Sequence, residues 1–472
     1  MQPMRAARLA ELAGGHLTGD PGTVIGPDVL IDSRAITPGS LFVAIAGERF
    51  DGHEFCRDAV EAGAAAVLVS RQLELGVPQI VVADTVAGLS ALARGVVAQE
   101  RQRGMICVGI TGSSGKTSTK DLLAQVLADA APTVAPPGSL NNEIGVPLTC
   151  CRADAQTAYL VNELGARGIG HIAWLTSIAP PDIALVLNVG VAHLGEFGGV
   201  DATAQAKGEL VEALGGNGWA ILNADDPRVA AMAGRTSGRI GYFSVGDTPR
   251  QDAELQVCAA GVTLDGLGHP RFTLRVETAD HKEEHPVSLS LTGAHHAANA
   301  AAAAAAAIAA GVEPGAVADS LSRASVRSAW RMAVTERADG VLIVNDSYNA
   351  NPDSMAAALD ALHHLHRARL REYPRSRAFA VLGDMLELGD GSAALHRQLG
   401  ASAQVSEVLA VGDFADDIVA GAAGNGVAGR KVGKEEVAAA LDLRPGDVVL
   451  LKASRGVGLE TVAQQLTEGE SA

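Results

Sequence analysis

The stretch GITGSSGKTSTK, Gly109 to Lys120, carries the residue types that hold a nucleoside triphosphate. An apolar run, MICVGI, enters it and an amphipathic segment leaves it, which is the strand, loop and helix order of a phosphate loop. Gly112 and Gly115, with Ser113 and Ser114 between them, let backbone N–H groups wrap phosphate oxygens at the positive end of the helix that follows. Lys116 is placed to reach the outer phosphates, the Thr117 hydroxyl is placed to ligate Mg²⁺, and Ser118 lies in the first turn beside them. The spacing departs from G-x-x-x-x-G-K-[ST], because five residues rather than four separate Gly109 from Gly115.

Further polar residues stand at the ends of apolar runs. Glu163 closes AYLVNE, where a carboxylate projects toward a bound nucleotide and completes magnesium coordination. His193, in NVGVAHLGEFG, offers a neutral imidazole to a metal or a substrate oxygen. Lys207, in ATAQAKGELV, falls on a predicted helix and taken singly reads as a solvated lysine. DSYNANPDSM sets Asp346, Ser347, Tyr348, Asn349 and Asn351 in a polar turn that hydrogen-bonds a ligand and then caps a helix. Arg331, Asp384, Glu387, Lys452, Ser454 and Arg455 lie beside other strand ends, each singly an ordinary surface charge.

The elements that must position these residues fall into three successive blocks. At 472 residues the chain exceeds one ordinary core, and its Ala, Val, Leu and Gly content with 3% aromatics favours parallel α/β layers. Residues 1–103 alternate the strands SLFVAIAG, AAVLVS and QIVVAD with helices. Residues 104–326 alternate MICVGI, TAYLVNEL, DIALVLNVG and GWAILNADD with helices, which predicts a doubly wound sheet with TADHKEEHP as a hairpin excursion inside it. Residues 327–472 repeat the pattern with GVLIVND, RAFAVLGD, EVLAVG and DVVLLKAS. The block AANAAAAAAAAIAAG is too short to span a bilayer and reads as a packing helix.

A net charge of −17 opposes a phosphate-tracking surface, so nucleic acid is not an expected partner. The five cysteines form no CxxC pair and read as reduced thiols. The N-terminal segment has no apolar core with a small-residue cleavage site, so neither secretion nor a membrane is expected, and a cytoplasmic enzyme is.

In this order, TGSSGKTSTK, SLNNEIGVPLT, NELGARGIGHI, NVGVAHLGEFG, AKGEL, NADDP, GAHHAANA, DSYNANPDSM, LGDMLELG and KASRGVGLE resemble the Mur ligase family along nearly the whole chain. These are ATP-dependent amide-bond ligases of peptidoglycan precursor assembly. The short phosphate loop, irregular by the general pattern, matches the family's form. The resemblance implies a uridine-nucleotide-binding N-terminal α/β domain, a central P-loop ATPase-like parallel-sheet domain and a C-terminal Rossmann-like α/β domain. DSYNANP and LGDMLELG look most like the member that joins D-alanyl-D-alanine to UDP-N-acetylmuramoyl-tripeptide through an acyl phosphate. The cofactors implied are ATP and Mg²⁺, and the state implied is a monomer.

The resemblance also carries roles onto matching positions. Lys116, Lys207 and His193 would serve catalysis, with Thr117 and Glu163 on a first magnesium and His193 with a carbamylated Lys207 on a second. Carbamylation turns an amine that would repel the metal into an anion that ligates it. Asn299 and Asn345 or Asp346 match positions near adenine and ribose, and Arg331 matches one that reaches the phosphates. Ser33, Arg34, Asn141 and Asn142 match the uridine-nucleotide substrate region, and Tyr348, Asn349 and Asn351 the D-alanyl-D-alanine region. Two departures stand out: His295-His296 replaces the family's His-Asn pair, and Lys452-Ala453-Ser454-Arg455 replaces K-G-S-R.

Two other readings compete. The ligase that adds the third residue shares the N-terminal motif DSRAITPGSLFVAIAGERFDGHEF, but its diaminopimelate-adding form carries D-N-P-R, a tetrapeptide missing from this sequence. A P-loop switch that is not a ligase would hydrolyse ATP without a sugar nucleotide. Folylpolyglutamate synthases, more distant relatives, start near their phosphate loop, whereas a whole domain precedes Gly112 here. Whether the peptide's third residue is lysine or diaminopimelate is not written in these motifs.

Overall fold

The computed structural model describes residues 1–47, 49–190, 199–246, 248 and 250–468, and within them three α/β units follow one another. The first contains β1 (Met4–Arg5), β2 (His16–Thr18), β3 (Val24–Ile25), β4 (Val29–Leu30), β5 (Leu41–Val43), β6 (Ala66–Val69) and β7 (Gln79–Val81). The sheet order is β2-β7-β6-β5-β4, parallel except at β2, and β1 pairs with β3 in a separate ribbon. β5 and β6 are buried at every position, which is why they read as continuous apolar runs rather than alternating ones. The helix Thr85–Arg101 starts where the Asp84 carboxylate accepts the Ala87 N–H, and it buries Leu89, Leu92, Ala93 and Val96.

The central sheet comprises β8 (Ile106–Thr111), β9 (Thr133–Val134), β10 (Tyr159–Glu163), β11 (Ile183–Val186), β12 (Trp219–Asn223), β13 (Arg239–Val245), β14 (Leu255–Leu264), β15 (Pro270–Thr278) and β16 (Lys282–Ser288). Its order is β16-β15-β14-β13-β12-β11-β8-β10-β9. From β9 to β14 it is parallel, and β15 and β16 extend it as an antiparallel hairpin whose turn and most of whose second strand fall in the TADHKEEHP segment. The alanine-rich block forms the helix His296–Ala309, and Ala300 to Ala307 are fully buried. Methyl side chains let this helix lie close between the sheet and the phosphate-loop helix, Lys116–Ala130, so its composition serves packing.

The third unit carries β17 (Ala333–Glu336), β18 (Leu342–Asn345), β19 (Ala378–Gly383), β20 (Glu407–Val411), β21 (Ala428–Lys431) and β22 (Val448–Lys452), ordered β17-β18-β22-β19-β20-β21. All pairs are parallel except β17 with β18. Two apolar clusters fill its two faces, one built on Leu342, Val344, Leu382 and Leu450, the other on Ile343, Val381, Leu409 and Leu451. Alternate residues of the same strands supply opposite faces, as the pleat requires.

All five cysteines are free thiols, four of them buried. Among the described residues no helix is long and apolar enough to cross a membrane.

Candidate active site

The carboxyl ends of β8, β10 and β11 in the central unit face those of β18 and β22 in the third, and a cavity of about 360 Å³ lies between them. Open α/β sheets bind ligands at such ends. β8 ends at Thr111 and the helix begins at Lys116, so Gly112 to Gly115 form the connecting loop. Gly115 has φ 79°, and a Cβ there would lie 2.7 Å from Asn299 Oδ1, so glycine is needed for both the backbone and the neighbour. Asn188, just past β11, fixes the loop by accepting the Ser114 N–H at 2.9 Å, and Ser113 Oγ accepts the Gly190 N–H at 2.9 Å.

Lys116 Nζ donates to the Gly112 carbonyl at 2.6 Å, curled over the loop it serves. Burial pushes its pKa below a lysine's usual value, with Glu163 opposing that shift and Arg331 adding to it. The Thr117 hydroxyl donates to Glu163 Oε2 at 2.8 Å, while Glu163 Oε1 accepts Ser139 Oγ at 2.6 Å and Asn141 Nδ2 at 2.8 Å. A hydroxyl and a buried carboxylate in contact at a phosphate loop are hard oxygen donors that suit Mg²⁺. Among the described residues no cluster of three His, Cys, Asp or Glu side chains exists, so a cation here would draw other ligands from phosphate and water.

Lys207 lies on the helix Val200–Glu212, buried at 4% exposure and lining the same cavity. Burial and then the Lys116 ammonium push it well below a lysine's usual pKa, and no described carboxylate pairs with it. Burial of an amine with no counter-ion among the described residues favours its neutral form, the form that reacts with CO₂.

The third unit contributes Arg331, whose Nη2 donates to Thr117 Oγ1 at 2.8 Å and whose guanidinium carbon stands 4.2 Å from the Tyr348 ring centre. Its Nε is buried with no acceptor among the described residues. Both flanking residues lie in the left-handed region, Trp330 at φ 59° and Met332 at φ 48°, a conformation that costs side-chain-bearing residues about 1–2 kcal/mol each. Two hydrogen bonds hold it: Tyr348 N–H to the Trp330 carbonyl at 3.1 Å, and Met332 N–H to Asp346 Oδ1 at 3.1 Å. Asp346 Oδ2 also accepts Lys452 Nζ at 2.6 Å. Asn351 caps the helix Pro352–Arg369 by accepting the Ser354 N–H, and its Nδ2 donates to the Ser113 carbonyl at 3.4 Å, touching the phosphate loop across the gap.

The cavity thus gathers Ser113 to Ser118, Asn141, Asn142, Glu163, Lys207, Asn299 and Arg331 with Asp346, Tyr348, Asn349 and Asn351. Gly112 backs the loop through its carbonyl. Ser33 and Arg34 are elsewhere, in a short turn of the first unit where exposed Arg34 pairs with Asp32 at 2.7 Å, and His193 lies outside the described residues. Both His295 and His296 line the cavity with pKa values lowered by burial. His296 Nδ1 sits 3.4 Å from Asn299 Nδ2, so the unusual His pair still meets the asparagine beside Gly115. Sequence reasoning missed Asn188, Ser139 and Asp353. Only a residue's place past a strand end could have flagged the first two.

A phosphate loop at the carboxyl ends of one sheet, met by an arginine and a capped helix from a second α/β unit, defines a P-loop protein with its site between two units. The chain belongs to the Mur ligase family: residues 110–307 match the Mur ligase middle domain, 330–455 the Mur ligase, glutamate ligase domain, and 28–102 the Mur ligase family, catalytic domain. It is 43% identical to the UDP-N-acetylmuramoyl-tripeptide--D-alanyl-D-alanine ligase of Mycobacterium tuberculosis, covering 100% of this chain and 99% of that one. The crystal structure of MurF from Acinetobacter baumannii superposes with a TM-score of 0.84 at 31% identity over 99% of this chain and 100% of that one. MurF ligase from Thermotoga maritima in complex with ADP superposes with a TM-score of 0.75 at 29% identity over 93% and 97%.

Proposed function

We propose that this protein uses ATP to join D-alanyl-D-alanine to UDP-N-acetylmuramoyl-tripeptide, forming the amide bond of the UDP-muramoyl-pentapeptide. The observation that carries the reading is the meeting of Arg331 and Asn351 with the phosphate loop, because a ligase must assemble nucleotide and acceptor groups from two units in one cleft. Full-length identity of 43% to a ligase of that name supports the choice of substrates. The ADP complex of the Thermotoga maritima relative supports ATP as the nucleotide.

In this reading the loop N–H groups and Lys116 hold the triphosphate, and Lys116 offsets repulsion between the γ-phosphate and the incoming tripeptide carboxylate. Thr117 and Glu163 hold Mg²⁺, which when bound neutralises phosphate charge and orients the γ-phosphoryl group. The carboxylate oxygen bonds to the γ-phosphorus and ADP leaves. The dipeptide amine then bonds to the carbonyl carbon of the acyl phosphate, and phosphate leaves. Arg331 and the Tyr348 to Asn351 turn cover the cleft and exclude water from the acyl phosphate. Both substrates and ATP are small and water-soluble, so we place the reaction in the cytoplasm.

Phosphate release tests the reading when UDP-muramoyl-tripeptide and D-alanyl-D-alanine are supplied separately and then together. Release that needs both is the expected result. Release indifferent to either would instead identify a nucleotide switch.

A further inference from the structure

Aminolysis of an acyl phosphate needs a free amine, whereas a dipeptide arrives as an ammonium. Some group in the cleft must hold that cation and take its proton. The carboxylates that line the cavity are Glu163, Asp346, Asp353 and Glu387. Glu163 already receives Thr117, Ser139 and Asn141, and Asp346 receives Lys452 and the Met332 N–H. Glu387 is engaged as well. Asp353, by contrast, accepts no hydrogen bond from any described residue.

Its position follows from the capped helix. Asn351 fixes the start of Pro352–Arg369 against Ser113, and Asp353 comes in the first turn, two residues on. Its carboxylate crosses the gap to the segment beyond β11 and packs so closely on Gly190 that a Cβ there would collide with Oδ2. Gly190 in turn hydrogen-bonds Ser113 Oγ, so this carboxylate stands at the shoulder of the phosphate loop, on the third unit's side. The charged group that bears on it is Asp226, which caps the helix Pro227–Ala230 and accepts the Val189, Arg228 and Val229 N–H groups. Asp353 is exposed into the cavity rather than buried, and partial desolvation by the walls, then the Asp226 charge, push its carboxyl above its usual range. Both causes favour a cation or a proton beside it.

We propose that Asp353 is the residue that binds the α-ammonium of the incoming dipeptide and accepts its proton. This rests on the ligase reading above. One N–H proton passes to an Asp353 oxygen, and the nitrogen lone pair forms the C–N bond to the acyl carbonyl carbon. The C–O bond to phosphorus-bearing oxygen breaks with its electron pair on phosphate. The second proton, lost as the nitrogen becomes an amide, leaves with phosphate, and Asp353 returns its proton to water.

The test compares two nucleophiles at pH 7 in the full-length enzyme with ATP and UDP-muramoyl-tripeptide: D-alanyl-D-alanine, whose α-amine is mostly ammonium there, and hydroxylamine, a weaker base that is mostly uncharged and attacks without first losing a proton. D353N is expected to lose kcat/KM for the dipeptide about 30-fold, the worth of one charged hydrogen bond, while hydroxamate formation stays within about twofold of the parent. Retained hydroxamate formation also shows that the variant is folded and still makes acyl phosphate. An equal loss with both nucleophiles, or dipeptide kinetics within threefold of the parent, overturns the proposal. A parent enzyme that forms neither hydroxamate nor dipeptide product would overturn the ligase reading itself, and one that forms hydroxamate alone would overturn the dipeptide as its acceptor, results distinct from either.

Discussion

Arg331→Met keeps most of the side-chain volume and removes every guanidinium donor, so it isolates what the arginine does for the nucleotide. Three interactions must be separated. The Nη2 bond to Thr117 and the stacking on Tyr348 exist before any ligand arrives, so both belong to the free protein and cancel from kcat/KM to first order. The buried Nε has no acceptor among the described residues, and on the proposed reading a phosphate oxygen supplies one. A charge-assisted bond of that kind contributes about 2 kcal/mol, or about a 30-fold loss of kcat/KM on removal. Arg331→Lys keeps the charge without the fork and should recover less than about tenfold of that loss. Steady-state phosphate release with all three substrates measures both, with binding of the UDP-tripeptide alone as control. A loss below about threefold for Arg331→Met, or an equal weakening of UDP-tripeptide binding, would refute the assignment of Nε to the nucleotide.

Lys116→Ala should abolish turnover, because Lys116 is the cation that the loop itself carries, curled over the Gly112 carbonyl, and near-normal rates would sink the nucleotide assignment. Lys207→Ala should be inactive and regain activity with added short carboxylic acids, if a carbamate at that buried amine supplies an anion; full activity without them would remove the carbamate. His295 and His296 are buried with lowered pKa values, so the unfolded chain takes up protons there before the folded one does. Their contribution to stability is therefore present above about pH 6.5 and lost as pH falls through it. His296→Asn should flatten the fall in melting temperature between about pH 7.5 and 5.5, and an unchanged slope would show that the imidazole is already solvated.

Much of the architecture was readable because fully buried parallel strands must be apolar throughout. MICVGI, DIALVLNVG, RAFAVLGD and DVVLLKAS each became a central strand, and the polar residues just past them became the cleft. β17 and β21 escaped notice because these outer strands leave residues such as Glu336 and Arg430 exposed and carry no long apolar run. Glu163 and Lys207 were found by position or resemblance, but their state was not. Only packing shows that Glu163 holds three donors and that Lys207 faces no described carboxylate. Asp353 reads in sequence as a routine acidic residue in a helix's first turn, a favourable place that needs no further explanation. What singles it out is that no described residue donates to it and that the Gly190 backbone lies against it, the second a product of tertiary contact between two units.

The same contact explains how Arg331 is aimed. The phosphate-loop helix presents Asp121, Gln125 and Asp129 at four-residue intervals, hence on one face. Asp129 Oδ2 accepts Ser320 Oγ at 2.7 Å and Arg323 at 2.8 Å, Gln125 Oε1 accepts the Ser325 N–H at 3.0 Å and Arg327 Nε at 3.2 Å, and Asp121 Oδ2 accepts Ser328 Oγ at 2.6 Å. The connecting segment therefore runs back along the helix toward its N-terminus, one helical turn per contact, and arrives beside Thr117. Two left-handed residues there turn the chain so that Arg331 points at the loop. That backbone strain, about 1–2 kcal/mol per residue, persists because the flanking bonds from Tyr348 and to Asp346 tie it to the third unit. The arginine is thus held from both sides: the helix that carries Lys116 and Thr117 fixes its approach, and the turn that carries Tyr348 and Asn351 fixes its conformation. A displacement of either unit must therefore strain Trp330 to Met332, which couples the phosphate loop to the turn at Tyr348 alongside the Asn351 contact to Ser113.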